Sequence, residues 1–158
     1  MTNSTVSDAA ESTKHVFLDS NILVYCADRH DSDLRARCRM HLQTLRSSGR
    51  AVISTQVLQE FYSVTTRKFS LDPIQAREFV ADFRQIPTTV ITPELIDEAI
   101  ACHQADSISF WDALIVVAAS SADCQLLLTE GLNAGQTIRG VEIIRPGAEL
   151  INQPGDTG

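Results

Sequence analysis

Val16-Phe17-Leu18-Asp19-Ser20-Asn21 sets three apolar residues directly against three polar ones. A run that short and that apolar suits a strand buried on both faces. Four more such runs follow at wide spacing: Ala51-Val52-Ile53, Thr89-Val90-Ile91, Leu126-Leu127-Leu128 and Val141-Glu142-Ile143-Ile144. The segments between them carry helical patterns. Leu34 to Leu45 is the first, and Gln56 to Thr66 places Val57, Leu58, Phe61 and Val64 on one face. Pro73 to Phe83 has Asp72 as an N-cap and proline at its first position. Thr92-Pro93-Glu94 opens a fourth helix in the same way, reaching about Ala105, and Ser109 to Ala122 forms a fifth with an apolar inner side. Alternation of strand and helix implies parallel strands joined by right-handed crossovers. The fold class expected is α/β, a three-layer α/β/α sandwich with a mostly parallel central sheet.

The chain has 158 residues, enough for one domain with a sizeable core. Residues 1–13 read as a disordered leader and 152–158 as a frayed tail, which leaves 14–151 as the folded domain. With 44% apolar and 21% charged residues, the composition is that of an ordinary soluble domain. The longest apolar stretch, Ala113 to Ala119, falls far short of the roughly 18 to 20 residues a membrane span needs. The N-terminus has no cationic start followed by an apolar segment, so a cytoplasmic protein is expected. Cys26, Cys38, Cys102 and Cys124 are widely spaced and form no C-x-x-C pair. With no H-x-x-x-H partner either, they read as free thiols rather than zinc ligands.

The formal net charge of −7 argues, taken whole, against a polyanionic partner. Its distribution is uneven. Residues 1–71 hold nine Lys/Arg against seven Asp/Glu, and residues 72–158 hold four against thirteen. Arg29, Arg35, Arg37, Arg39, Arg46 and Arg50 lie between the first two strands, with Arg67 and Lys68 soon after. The simpler reading is a solvated helix face. The sharper one is a basic rim that holds phosphates beside an acidic site.

In parallel α/β sheets, sites form beyond the carboxyl ends of the strands, and acids stand there. Asp19 follows the first strand directly. Burying a carboxylate there is expensive unless it is paired, hydrogen-bonded or on a metal; its plain alternative is an N-cap for Ile22 to Ala27. Glu60 lies one turn into the helix after the second strand, where an exposed glutamate would be equally at home. Asp112, with Ser109, matches an S-x-x-D capping box, yet it leads a helix whose later turns are nearly free of charge. Glu130 follows the fourth strand, where an ordinary acidic loop is the alternative. Clustered carboxylates repel one another unless protonated or bridged by cations. Oxygen-only ligation without histidine favours Mg²⁺ or Mn²⁺ over zinc. A metal-assisted phosphodiester hydrolase follows as a hypothesis.

From about Val16 to Pro146 the chain resembles the PIN domain, most closely the small ribonuclease toxins of VapBC-type toxin–antitoxin pairs. The resemblance is carried by Phe17-Leu18-Asp19-Ser20-Asn21, by Ser54 to Phe61, by Ser109-Phe110-Trp111-Asp112-Ala113-Leu114-Ile115, and by Leu127 to Gln136 leading into Gly140 to Ile144. It implies a Mg²⁺- or Mn²⁺-dependent endoribonuclease, often a homodimer, acting on RNA and neutralised by a cognate antitoxin protein. Asp19, Glu60 and Asp112 match three acidic positions of that family. Asp19 and Asp112 would ligate the ion and Glu60 would complete the site, directly or through water. Asn21 and Thr129 match positions that orient the site by hydrogen bonds. The departure is Gly131, where such proteins commonly carry an aspartate.

Two other readings stand beside this one. Phosphotransfer to Asp19 would call for a second nearby acid and a strand-end lysine, whereas the sequence gives Asp19-Ser20-Asn21 and only Lys14 and Lys68. A catalytically weak or inactive module that binds RNA or protein would follow from the missing acid at Gly131. Toxins of the VapBC type dimerise through helices, and the apolar surface of Gln56 to Phe83 could serve, although the sequence does not show which helix meets which.

Overall fold

The computed structural model describes residues 13–30 and 32–147. The expected tail, and all but Thr13 of the expected leader, lie outside the described residues, as do positions 148–151 of the expected domain. The elements run β1 (Val16–Leu18), α1 (Ser20–Ala27), α2 (Asp33–Ser47), β2 (Ala51–Ser54), α3 (Thr55–Arg67), α4 (Pro73–Phe83), β3 (Thr88–Thr89), α5 (Pro93–Asp106), α6 (Phe110–Ser121), β4 (Leu126–Leu128), β5 (Thr137–Ile138) and β6 (Val141–Ile144).

The six strands form one sheet in the order β3-β2-β1-β4-β6-β5, parallel except for the β5–β6 pair. From β1 the chain steps outward through β2 to β3, then returns to place β4 on the other side of β1. Right-handed crossovers put α1 to α4 over one face and α5 and α6 over the other. The contacts agree: α1 packs on α2 and α3, α3 packs on α4, and α5 pairs with α6, which lies against β2, β4 and β6. This is the expected three-layer α/β/α arrangement. The direction of winding reverses between β1 and β4, so the crevice at their carboxyl ends is the topological switch point.

β1, β2 and β4 are wholly buried, as their unbroken apolar runs require. α6 buries every residue from Ala113 to Ala119, a helix with almost no solvent face. On α3 the inward face is Gln56, Val57, Phe61 and Thr65, with Leu58 and Val64 half-buried rather than central. Phe61 meets the ring of Phe83 edge-on at 5.0 Å and that of Phe79 at 6.0 Å, which locks α3 to α4.

Two differences from the sequence reading have local causes. The third strand ends at Thr89 instead of Ile91, because the Ile91 N–H is taken by the Thr55 hydroxyl and Thr92 then caps α5. β5 escapes the pattern because it has only two residues. It is folded back on β6 by Arg139 and Gly140, both at positive φ (52° and 78°), the requirement of a type I′ turn.

Phe61 is fully buried and joins two helices, so Phe61→Ala is expected to destabilise the protein by about 3–5 kcal/mol in urea unfolding. Tyr62→Ala, on the exposed face one residue away, is expected to cost less than about 1 kcal/mol.

Candidate active site

Asp19 leaves β1 at the switch point and caps α1 in the same move. Its Oδ1 accepts the Ser20 amide N–H at 2.7 Å. Its Oδ2 accepts the Thr129 hydroxyl at 2.7 Å, across from the end of β4. The capping role that the sequence offered is realised, by a side chain that is also buried.

The neighbouring polar groups form a connected set. The Ser20 hydroxyl donates to Glu60 Oε2 at 3.0 Å and lies 3.4 Å from Asp19 Oδ1, so it joins two of the acids. Gln56 Nε2 donates to Glu60 Oε1 at 2.6 Å and to the Trp111 carbonyl at 3.2 Å. This fixes Glu60 of α3 to the first turn of α6. Gln56 and Glu60 sit four apart on one helix, the spacing at which side chains meet. Thr129 Oγ1 accepts from the Gly131 N–H at 2.9 Å and from Asn21 Nδ2 at 3.4 Å, which leaves its own O–H directed at Asp19 as a donor. The orienting role that the resemblance implied for Asn21 and Thr129 matches these bonds. Ser20 and Gln56 are not singled out by the sequence; the Gln56–Glu60 spacing is the signal that points to one of them.

Asp112 is the third residue of α6, and its backbone N–H donates to Ser109 Oγ at 3.1 Å as the capping motif predicts. Its carboxylate faces the Gly131 backbone: a Cβ added to Gly131 would lie 3.9 Å from Asp112 Oδ1, 3.8 Å from Asn21 Nδ2 and 3.5 Å from Thr129 Oγ1. All three are ordinary contacts, so a Cβ is accommodated at this position, on the side of Asp112. Glu130 does not fill that place. It reaches outward to Arg145, 3.6 Å away, and its charge acts on Cys38.

Burial is the main reason the Asp19 carboxyl is pushed up to about 6, against the lowering effect of its bonds to Thr129 and Ser20. The charged side chains that act on it, Glu60 and Asp112, are both anionic and raise it further. Asp19, Glu60 and Asp112 therefore share one electrostatic neighbourhood, although they come from three elements far apart in sequence. Among the described residues no group of three His, Cys, Asp or Glu side chains is drawn into a ready metal cluster. The donor set still fits a hard cation. It is all oxygen and anionic, and Mg²⁺ keeps several waters and is held through one or two carboxylates. Asp19 and Asp112 are the residues that would hold it.

The cysteines lie elsewhere as free thiols, and burial pushes Cys26 up to about 12 and Cys38 to about 11, so neither is a thiolate. Part of the expected basic rim is engaged within the fold, while Arg29, Arg37, Arg39, Arg67 and Lys68 are exposed. Arg35 pairs with Asp28 at 2.6 Å, Arg46 pairs with Asp82 at 2.7 Å, and Arg50 is buried with its Nε on the Lys14 carbonyl. Arg67 is the arginine of that set that lines a groove shared with Glu60.

The PIN domain family matches residues 16–136 of this chain. Solved structures with a similar fold include VapC20 of Mycobacterium tuberculosis, described as a sarcin–ricin loop cleaving toxin. It is 18% identical, with 71% of this chain and 86% of that one aligned and a TM-score of 0.55. VapBC2 of Rickettsia felis, bound to a DNA fragment from its promoter, is 19% identical over 82% of this chain and 97% of that one, with a TM-score of 0.60. FitAcB of Neisseria gonorrhoeae is 14% identical over 83% and 97%, with a TM-score of 0.54. At these identities the likeness is one of fold. No curated protein matches.

The raised Asp19 carboxyl has a consequence for stability. Between about pH 4 and pH 6 the folded metal-free protein holds a proton there that the unfolded chain releases, so stability falls as pH rises through this window. Above it, the ionised buried group costs on the order of 3 kcal/mol. Urea unfolding in chelator is expected to show this downward slope, and Asp19→Asn is expected to flatten it. An unchanged slope in the variant would place the charge burden elsewhere.

Proposed function

This chain belongs to the PIN-domain family, and from that premise we propose that it is a Mg²⁺- or Mn²⁺-dependent endoribonuclease that hydrolyses RNA phosphodiester bonds. The observation that supports the reading is that buried Asp19, at the β1/β4 switch point, has Glu60 and Asp112 as the charged groups acting on it, with the Ser20 hydroxyl lying between Asp19 and Glu60. Asp19 and Asp112 would hold a divalent cation there, which would supply the positive charge that activates water and stabilises a phosphoryl group in transition. Thr129 and the Ser20 amide fix both oxygens of Asp19, so that carboxylate does not have to reorganise. Glu60, held through Oε2 by Ser20 and through Oε1 by Gln56, completes the acid set at a fixed position.

The biological setting proposed is the toxin of a toxin–antitoxin pair, acting in the cytoplasm and neutralised by a cognate antitoxin protein. Its support is the PIN family together with the fold shared with VapC20, VapBC2 and FitAcB. A homodimer is proposed through the α3–α4 region, where Tyr62, Phe69 and Ile74 are exposed. Among the described residues no helix is long and apolar enough to cross a membrane. Gly131 favours one second reading, a module that binds RNA or protein with little or no cleavage, because the place beside Asp112 is left without an acid.

Purified protein is expected to cleave a defined RNA in Mg²⁺ and to stop in chelator. Asp19→Asn and Asp112→Asn are each expected to lower the rate at least about 100-fold with an unchanged circular dichroism spectrum, since several kcal/mol of charge stabilisation go with the ion. Undiminished cleavage by either variant overturns the mechanism. Gly131→Asp is expected to lower the Mg²⁺ concentration needed for half-maximal cleavage. Cleavage that appears only in Gly131→Asp would favour the binding module for the natural chain.

A further inference from the structure

Trp111 is the only tryptophan of the chain and is 64% exposed, one residue before Asp112. An indole so open to water is unusual for a residue that ordinarily supplies core packing. Its backbone is anchored beside Glu60. Its carbonyl is bound by Gln56, the residue that binds Glu60, and its ring meets Phe110 edge-on at 5.1 Å. The indole forms one wall of an open groove of about 500 Å³ between α3 and α6, whose other lining includes Gln59, Glu60, Ser63 and Arg67. One end of the groove is therefore an acid of the candidate active site. Arg67 is exposed and, among the described residues, has no ion pair.

We propose that this groove is a nucleotide subsite, in which an unpaired base stacks on the Trp111 indole and Arg67 takes the adjoining phosphate. The assignment rests on the endoribonuclease reading for the identity of the strand as RNA. Every base has a π-face, so an exposed aromatic ring accepts one without a pocket shaped to it. Beside the indole, Gln59, Ser63 and Arg67 supply polar ends that can meet a ribose-phosphate strand, while their stems and Val64 keep most of the groove surface apolar, as a stacked base requires. Charge complementarity points the same way: Arg67 at one side binds phosphate, while the acids next to Glu60 await a cation. A base duplexed with its partner cannot turn its face to the indole, so the subsite selects single-stranded or looped RNA.

The single tryptophan makes the test direct. Full-length protein in chelator, where cleavage is off, is titrated with a short single-stranded oligoribonucleotide and with the same strand annealed to its complement. Tryptophan emission and the anisotropy of labelled RNA are both recorded. Quenching by the single strand and little by the duplex is expected. Trp111→Ala is expected to weaken binding by about 10-fold or more, with Trp111→Phe restoring most of it. Arg67→Gln is expected to weaken binding and to reduce the salt slope of log K by about one. Saturating anisotropy with no change in emission, or equal affinity in Trp111→Ala, overturns the subsite. So does emission that shifts with protein concentration alone, since a second copy then covers the indole. Parallel cleavage assays in Mg²⁺ separate the two readings. Cleavage without quenching sinks the subsite and keeps the nuclease. Quenching by the single strand without cleavage in any divalent metal keeps the subsite and sinks the nuclease.

Discussion

A buried carboxylate facing two others is the constraint on which this molecule turns. Asp19 is removed from water at the point where the sheet changes its direction of winding, and its charged neighbours are Glu60 and Asp112. Hydrogen bonds from Thr129 and Ser20 offset part of that burden but not all of it. A fold selected for stability alone would place an asparagine or a serine there, because either caps a helix without the charge. A cation held as proposed above would account for the retained carboxylate. The surrounding network of Ser20, Gln56, Asn21 and Thr129 then reads as a frame that keeps like charges at fixed positions.

Much of this was legible in the residues, for physical reasons that differ by element. The buried strands announce themselves because parallel strands covered on both faces must be apolar throughout. The ends of those strands then identify Asp19 and the Thr129-Glu130-Gly131 turn without any further information. Asp112 was harder, because the capping motif that places it also explains it away; only the orientation of its side chain toward Gly131 separates the two roles. β5 was not legible, since a two-residue strand has no period and its Arg139-Gly140 turn lacks the usual asparagine. The arginines between the first two strands pointed partly the wrong way. Clustering in sequence does not reveal that Arg35, Arg46 and Arg50 are engaged within the fold.

Gly131 and Glu130 show how one position alters a site's electrostatics. The glycine is in ordinary backbone conformation and has space for a side chain, so neither strain nor crowding requires it. Glu130 is turned to Arg145 and does not compensate. Position 131 therefore contributes no acid to the site, although a Cβ is accommodated there. The smaller negative charge weakens attraction for a second cation and also lowers repulsion toward RNA phosphate. For a chain of net charge −7, that second effect eases the approach of a polyanion.

The most direct test is a crystal of the full chain soaked in manganese and measured for anomalous scattering. The account predicts a peak between the carboxylates of Asp19 and Asp112, on the side of Glu60, with Thr129 still bound to Asp19. Manganese bound at other surface acids, with Asp19 and Asp112 left unliganded, would contradict it.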